Sequence, residues 1–367
     1  MNYQSWVGAD NARYGYGSML KSFLDNAPKG VEFNSNADVI VNMLPPYHTD
    51  QMFVGQYRTC FTMWESTVLP QRFKSWLKVY DEIFVPCTHN LELFSGHHPK
   101  VRLVPLGVDH KVWRPIARPD NPRFRFHAGG SLWLRKGLDV VLEAFKLAGL
   151  DAELHLKISP EARDVSVLNL PDNVFVHRQW FTADETFNWF NQADCYVSAT
   201  RGEGFGLMPL QAMAMGIPVI MNASSGQNDF AYLGSIVVGH KPATSIYGGD
   251  WDQSDPKELA EAMTDMVTNF ERYKTAAKNQ VKDTQVWSYK NAARKLVEAL
   301  PVGGLLVDPK RIELSVKYQV VVTRTCDASI NGVGARFVAG KPYVVAENMY
   351  EVLLNAGYLD VSKVEIL

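Results

Sequence analysis

A chain of 367 residues is long enough for two or three domains, and its 46% of apolar residues supplies a core for each. A formal net charge of −2 excludes a protein that coats nucleic acid or membrane by bulk electrostatics, though not a local basic patch. Cys60, Cys87, Cys195 and Cys326 lie far apart with no C-x-x-C pair, which excludes a disulfide frame or a zinc site and leaves reduced, mostly buried thiols. Met1-Asn2-Tyr3-Gln4-Ser5 has neither the basic region nor the apolar core of a signal peptide. No apolar run approaches the roughly 18 residues of a membrane span, so the expectation is a soluble cytoplasmic protein without integral membrane association.

Short apolar strands alternate with amphipathic helices, a pattern that predicts parallel sheets wrapped by helices. In the first part, strands are expected over 38–44, 57–63, 82–85 and 101–104, and helices over 18–26 and 71–80. Prolines at 115, 119 and 122 block both helix and ladder pairing and mark a domain boundary. A second alternating series follows: a strand over 124–128, a helix over 137–146, strands over 153–158 and 174–176, a helix over 183–192 and a strand over 195–198. Asp255-Pro256-Lys257-Glu258 reads as a capped helix start, opening a long helical region over 258–300. Pro301-Val302-Gly303-Gly304 interrupts it. Beyond lie a strand over 318–322, a hairpin turn at Asn331-Gly332, an apolar Val344-Val345 pair, and a short helix over 347–356 stopped by Gly357. The expected domains are 1–115, 121–300 and a small α+β module over 311–367.

Two glycine-rich loops carry the chemistry. Gly202-Glu203-Gly204-Phe205-Gly206 precedes a short amphipathic helix, whose start presents unpaired N–H groups and a positive dipole end suited to phosphate. Glycines beside Phe205 let backbone approach a ligand, and Glu203 can accept hydrogen bonds from ligand hydroxyls. Gly129-Gly130-Ser131-Leu132-Trp133-Leu134-Arg135-Lys136-Gly137 is a strand-to-helix turn with two cations, yet not a P-loop, because the G-x-x-x-x-G-K-[ST] order is absent. Each loop alone is readable as a plain turn. In one doubly wound domain both converge on the crevice at the carboxyl ends of the strands, a combination of cations, amides and carboxylate that suits a nucleotide sugar.

Phe126-His127-Ala128-Gly129-Gly130 to Arg135-Lys136-Gly137, and Glu203-Gly204-Phe205-Gly206-Leu207 to Gln211-Ala212-Met213, resemble the donor-site motifs of the family 4 retaining glycosyltransferases. Leu103-Val104-Pro105-Leu106-Gly107-Val108-Asp109, Tyr14-Gly15-Tyr16-Gly17 and Thr62-Met63-Trp64-Glu65 are similar to further segments of that family. The resemblance covers roughly residues 1–300. It implies an α/β GT-B fold, two Rossmann-like doubly wound domains facing a cleft, here with the C-terminal α+β module added. It implies a UDP- or GDP-linked sugar as substrate, no separate cofactor and no metal. Lys136 matches the cation that neutralises the leaving diphosphate, Arg135 is a neighbouring candidate for the charge missing at Ser131, and Glu203 matches the first glutamate of the E-x7-E pair. Gly15, Gly17, Gly130, Gly204, Phe205, Gly206 and Leu207 match donor-binding positions, and Ser131 and Gln211 stand at two further ones with other side chains. His48 matches a histidine that contacts the sugar, although a plain loop histidine is an equal reading.

The chain departs from the family at Gln211, where the second glutamate stands, and at Ser131, where an arginine is usual. An amide accepts a ribose hydroxyl's hydrogen bond without charge, so a weaker contact is expected. Asp250-Trp251-Asp252 fits a D-x-D metal motif but reads as a solvated polar loop. The acceptor stays open. Lys100, Arg102, Lys111, Arg114, Arg118, Arg123 and Arg125 form a basic stretch against only Asp109 and Asp120, able to track a polyanion such as DNA. With the C-terminal module, similar to short modules of tailed-phage proteins, this raises a phage enzyme of the host cytoplasm that glycosylates hydroxylated DNA bases. A saccharide or lipid-linked acceptor is the alternative, and a decayed, sugar-binding homologue a third.

Overall fold

The computed structural model describes residues 2–8, 15–29, 31–33, 39–46, 57–130, 134–160 and 170–301, then 317–323, 326–330, 333–337, 339–340, 342–346, 353, 359 and 365–366. The first sheet contains β1 (Asn2–Gly8), β2 (Val31–Phe33), β3 (Val39–Met43), β4 (Tyr57–Phe61), β5 (Glu82–Val85) and β6 (Val101–Leu103). They lie in the order β2-β1-β3-β4-β5-β6, every pair parallel. Helices α1 (Gly15–Asp25), α2 (Gln71–Leu77) and α3 (Thr88–Ser95) accompany it. The run Val39-Ile40-Val41-Asn42-Met43 is buried throughout, as a strand covered on both faces requires.

The second sheet is built from β7 (Phe124–Gly130), β8 (Ala152–Ile158), β9 (Val174–Arg178), β10 (Cys195–Ser198), β11 (Val219–Asn222) and β12 (Ile236–Val238). Their order, β12-β11-β10-β7-β8-β9, is all parallel and is the 3-2-1-4-5-6 order of the dinucleotide-binding fold. Helices α4 (Leu138–Ala148), α5 (Ala183–Asn191) and α6 (Leu207–Ala214) connect its strands. A hairpin of β13 (Lys241–Thr244) and β14 (Asp250–Gln253) follows.

The long helical region breaks into α7 (Pro256–Thr268), α8 (Phe270–Gln280) and α9 (Tyr289–Ala299), with a 3-10 segment at Val281–Val286 between the last two. Asp255 caps α7 as its sequence suggests, accepting from Lys257 N at 2.8 Å with Pro256 at the first position. The second break has a tertiary cause. Ser288 is extended (φ −120°, ψ 145°) because it bridges to Val108, and Val108 N donates to Trp287 O at 3.0 Å. That bridge turns α9 back onto α1, where Tyr289 meets Phe23 edge to face at 5.6 Å. One apolar cluster therefore runs from Trp6, Phe23 and Phe61 to Phe205, Phe230 and Leu296.

Two expectations are corrected. Helix α1 begins at Gly15 instead of at the expected residue 18, so Gly15 and Gly17 lie in its first turn. Tyr16, Met19, Leu20 and Phe23 recur at helical spacing against the core, and that apolar stripe outweighs two poor helix formers. Asp250-Trp251-Asp252 is strand β14, not a solvated loop, because Trp251 is buried and its indole donates to Glu65 O at 2.8 Å.

Cys60, Cys87 and Cys195 are buried free thiols. Among the described residues, no helix is long and apolar enough to cross a membrane, and no cluster of His, Cys, Asp and Glu is arranged to hold a metal. Near the C-terminus, β15 (Lys317–Val321), β18 (Pro342–Ala346) and β19 (Glu365–Ile366) form one small sheet. β16 (Cys326–Ile330) and β17 (Val333–Phe337) form an antiparallel pair. The expected Asn331-Gly332 turn lies outside the described residues, although the flanking Ile330 and Val333 face each other in register. The expected helix over 347–356 also lies outside them except at Leu353, which is helical and buried.

Candidate functional site

In the second sheet the strand order reverses between β7 and β10, which opens a crevice at their carboxyl ends. The loop after β7 and the loop after β10 meet there. Arg201 N donates to Arg135 O at 2.7 Å, and Thr200 Oγ1 donates to the same carbonyl at 3.1 Å. Arg135 Nη1 returns a bond of 2.6 Å to Gly202 O. Gly137 permits this closeness: its φ is +65°, and a Cβ there would lie 1.8 Å from Ala199 O. Arg201 ties the pair down by gripping Asp139 with two bonds of 2.7 Å.

At the meeting point sits a cluster of charges. Lys136 Nζ donates to Glu203 Oε1, and Arg135 Nη1 lies 3.5 Å from Glu203 Oε2. Arg135 Nη2 lies 3.9 Å from Glu65 Oε1, a carboxylate presented by the first unit. Burial alone would raise the Glu203 carboxyl, but the charges of Lys136 and Arg135 outweigh it and hold it below the ordinary range. Burial also dominates at Lys136, pulling its amine below the ordinary value against the opposing pull of Glu203. For Arg135, burial pulls down, and Glu65 and Glu203 more than reverse it. Lys157, at the end of β8, is lowered by burial and then by Lys136.

The backbone around Glu203 is held from three sides. Glu203 N donates to Ser225 Oγ at 2.7 Å, and Gly226 N donates to Glu203 O at 3.0 Å. Ser225 has φ +42°, the one non-glycine residue with positive φ among the described residues, and such strain persists where the surroundings impose it. Gly204 O accepts from Cys87 Sγ at 3.1 Å and from Asn90 Nδ2 at 3.2 Å, both on the first unit. Burial pushes the Cys87 thiol up to about 12, so it is a donor here and not a nucleophile. Phe205 is buried against Phe230 and Trp287, at ring separations of 5.4 and 5.9 Å. Gly206 caps α6 and Leu207 opens it, which aims the helix start at the crevice.

Of the residues singled out from the sequence, the structure brings together Arg135, Lys136, Glu203 and the Gly204–Leu207 backbone, with Gly130 against the Lys136 stem. Gln211 lies half-buried in the second turn of α6. Gly15 and Gly17 flank Tyr16, which accepts from Met63 N at 3.3 Å, Met63 in turn lying against Gly204. His48 and Ser131 lie outside the described residues. Sequence reasoning missed Ser225, Asn90 and Tyr247. Glu65 falls in the family-like segment Thr62–Glu65, where the sequence alone assigns it no role.

The basic stretch does not form a free patch. Arg102 pairs with Glu82, Arg123 with Asp151 at 3.1 Å and Arg125 with Glu153 at 2.7 Å, while Arg118 donates to Met215 O at 2.8 Å. Lys100, Lys111 and Arg114 are exposed. Clustering in sequence reported basic residues, but the fold gives most of them internal acceptors.

Residues 123–269 match the family model described as Glycosyl transferases group 1. The chain is 30% identical over 172 residues to the D-inositol 3-phosphate glycosyltransferase of Arthrobacter sp. (strain FB24), covering 41% of each chain. It is 26% identical over 239 residues to the protein of the same name from Paenarthrobacter aurescens (strain TC1), covering 58% of this chain and 54% of that one. The matches thus span about half, or less, of these relatives' length. Among solved structures, sucrose-phosphate synthase from Thermosynechococcus elongatus superposes with a TM-score of 0.58 at 18% identity, over 71% of this chain and 72% of that one. The two parallel sheets and these neighbours define the fold as GT-B, with a glycosyl transferases group 1 match over the second sheet.

Proposed function

We propose that the chain is a retaining, metal-independent glycosyltransferase that moves a sugar from a nucleoside-diphosphate donor to an acceptor hydroxyl. The observation that carries this reading is the meeting of Lys136, Arg135 and Glu203 at the strand-order reversal, beside the start of α6. Lys136 and Arg135 take the diphosphate, where negative charge grows as the glycosidic bond breaks. Glu203 accepts hydroxyls of the transferred sugar, and Gln211 a ribose hydroxyl. The amides of Phe205, Gly206 and Leu207 line the sugar and phosphate, with Gly130 and Gly204 allowing close approach and Ser131 assigned to the donor side. His48, Gly15 and Gly17 are assigned to the facing wall. The protein works by positioning and by charge stabilisation, with the donor phosphate taking the acceptor's proton on the same face.

Residues 1–115 form the acceptor-side unit in this reading, 121–300 the donor-side unit, and 311–367 an accessory module. The name of the bacterial relatives favours a small phosphorylated polyol or saccharide acceptor. A melting-temperature panel with UDP-, GDP- and ADP-sugars, followed by mass measurement of candidate acceptors, tests the reading. Lys136→Ala should lower kcat by about 100- to 1,000-fold with the fold intact. A variant that loses donor affinity alone, at unchanged kcat, contradicts the role. Transfer to DNA, falling steeply with salt, would instead make the exposed Lys100, Lys111 and Arg114 an acceptor track.

A further inference from the structure

Glu65 is the one carboxylate of the charge cluster to which the proposed reaction gives no task, and its position is heavily constrained. Its carbonyl accepts from the Trp251 indole at 2.8 Å. A Cβ on Gly202 would lie 2.1 Å from that carbonyl, so the bare backbone of Gly202 lets the segment settle against the site. The neighbours are fastened too: Ser66 Oγ donates to Gly248 O at 2.8 Å, and Thr67 Oγ1 accepts from Asp250 N at 2.8 Å. Trp64 and Tyr247 meet ring to ring at 5.4 Å, and Tyr247 also faces Arg135. The β13–β14 hairpin thus holds the Glu65 carboxylate 3.9 Å from Arg135, with its side chain only 25% exposed.

We propose that Glu65 balances the charge of Arg135 and Lys136 and thereby sets how readily the nucleoside diphosphate product leaves. The inference rests on the reading that these two cations receive the donor diphosphate. A fixed carboxylate beside Arg135 weakens the hold of the cluster on any anion. It weakens the hold on product more than on donor, because cleavage of the sugar–phosphate bond leaves an additional negative charge on the terminal phosphate. Glu65 acts through Arg135 and is a positioning and charge-setting residue, not a catalytic one.

The test compares wild type, Glu65→Gln and Glu65→Asp for binding of UDP, GDP and ADP by calorimetry, alongside melting temperatures and steady-state kinetics. Glu65→Gln should bind the nucleoside diphosphate that wild type prefers about tenfold tighter, with stronger product inhibition and a lower kcat. Glu65→Asp, which keeps the charge, should stay near wild type. A purely structural role predicts weaker binding with a lowered melting temperature, the opposite sign. Unchanged or weaker binding by a folded Glu65→Gln variant overturns the inference. The underlying reading fails differently: wild type then binds no nucleoside diphosphate, or Lys136→Ala binds it as tightly as wild type, and the inference falls with it.

Discussion

Glu203 owes its charge to its neighbours, and this gives it a pH signature. Its folded-state value is depressed below the ordinary 4.5, so the stabilisation from its ionised form is fully present above that value. It is lost as pH falls through the lower folded value. Glu203→Gln removes this contribution and leaves Lys136 buried without its partner. The melting temperature of the variant should therefore lie below wild type at pH 7, with the gap closing under acid conditions below the ordinary carboxylate range. A gap independent of pH would mean that the pair contributes nothing. Gln211 permits a milder experiment. Gln211→Glu should preserve folding and tighten nucleotide binding, since a carboxylate accepts stronger hydrogen bonds from ribose than an amide does. Loss of donor binding in a thermal-shift assay would remove residue 211 from the ribose site.

At the scale of elements, the contact between the loops after β7 and β10 depends on Gly137. Gly137→Ala adds a methyl group where Ala199 O already stands, at a φ that L-residues avoid. It should cost about 2–4 kcal/mol and separate Lys136 from Glu203, visible as a lower urea midpoint together with lost turnover. A stable, inactive variant would show that the loops can part without unfolding. Burial of Trp251 in β14 has a parallel consequence. The hairpin is not an ornament of the second unit but the surface on which the Glu65 segment rests.

For the whole molecule, α9 returns to the first sheet and the apolar cluster is continuous across both units, so the parts within residues 1–301 are energetically joined. The described strands beyond residue 317 pair only with one another. Removal of residues 311–367 should leave a folded protein that still binds donor, with a melting temperature close to that of the full chain. An insoluble product, or a fall of tens of degrees, would mean that residues 311–367 belong to the core.

The alternation of strands and helices was legible in the chain, as were the glycine-bounded loops and the capped start of α7. Each depends on local periods and on backbone rules that short segments obey by themselves. Asp255-Pro256 needs no distant partner to start a helix, and Val39–Met43 is apolar enough to be a buried strand in any fold. Only the tertiary structure decided what depends on residues distant in sequence. Ser288 leaves the helix because Val108 pairs with it, and Asp250-Trp251-Asp252 is a strand because Trp251 reaches Glu65. Arg102, Arg118, Arg123 and Arg125 lose their apparent freedom to acceptors elsewhere in the chain. Glu65 joins Arg135 across 70 residues of sequence, a separation that no local pattern records. Charge pairing and burial are set by distance in space, and that distance exists only once the chain has folded.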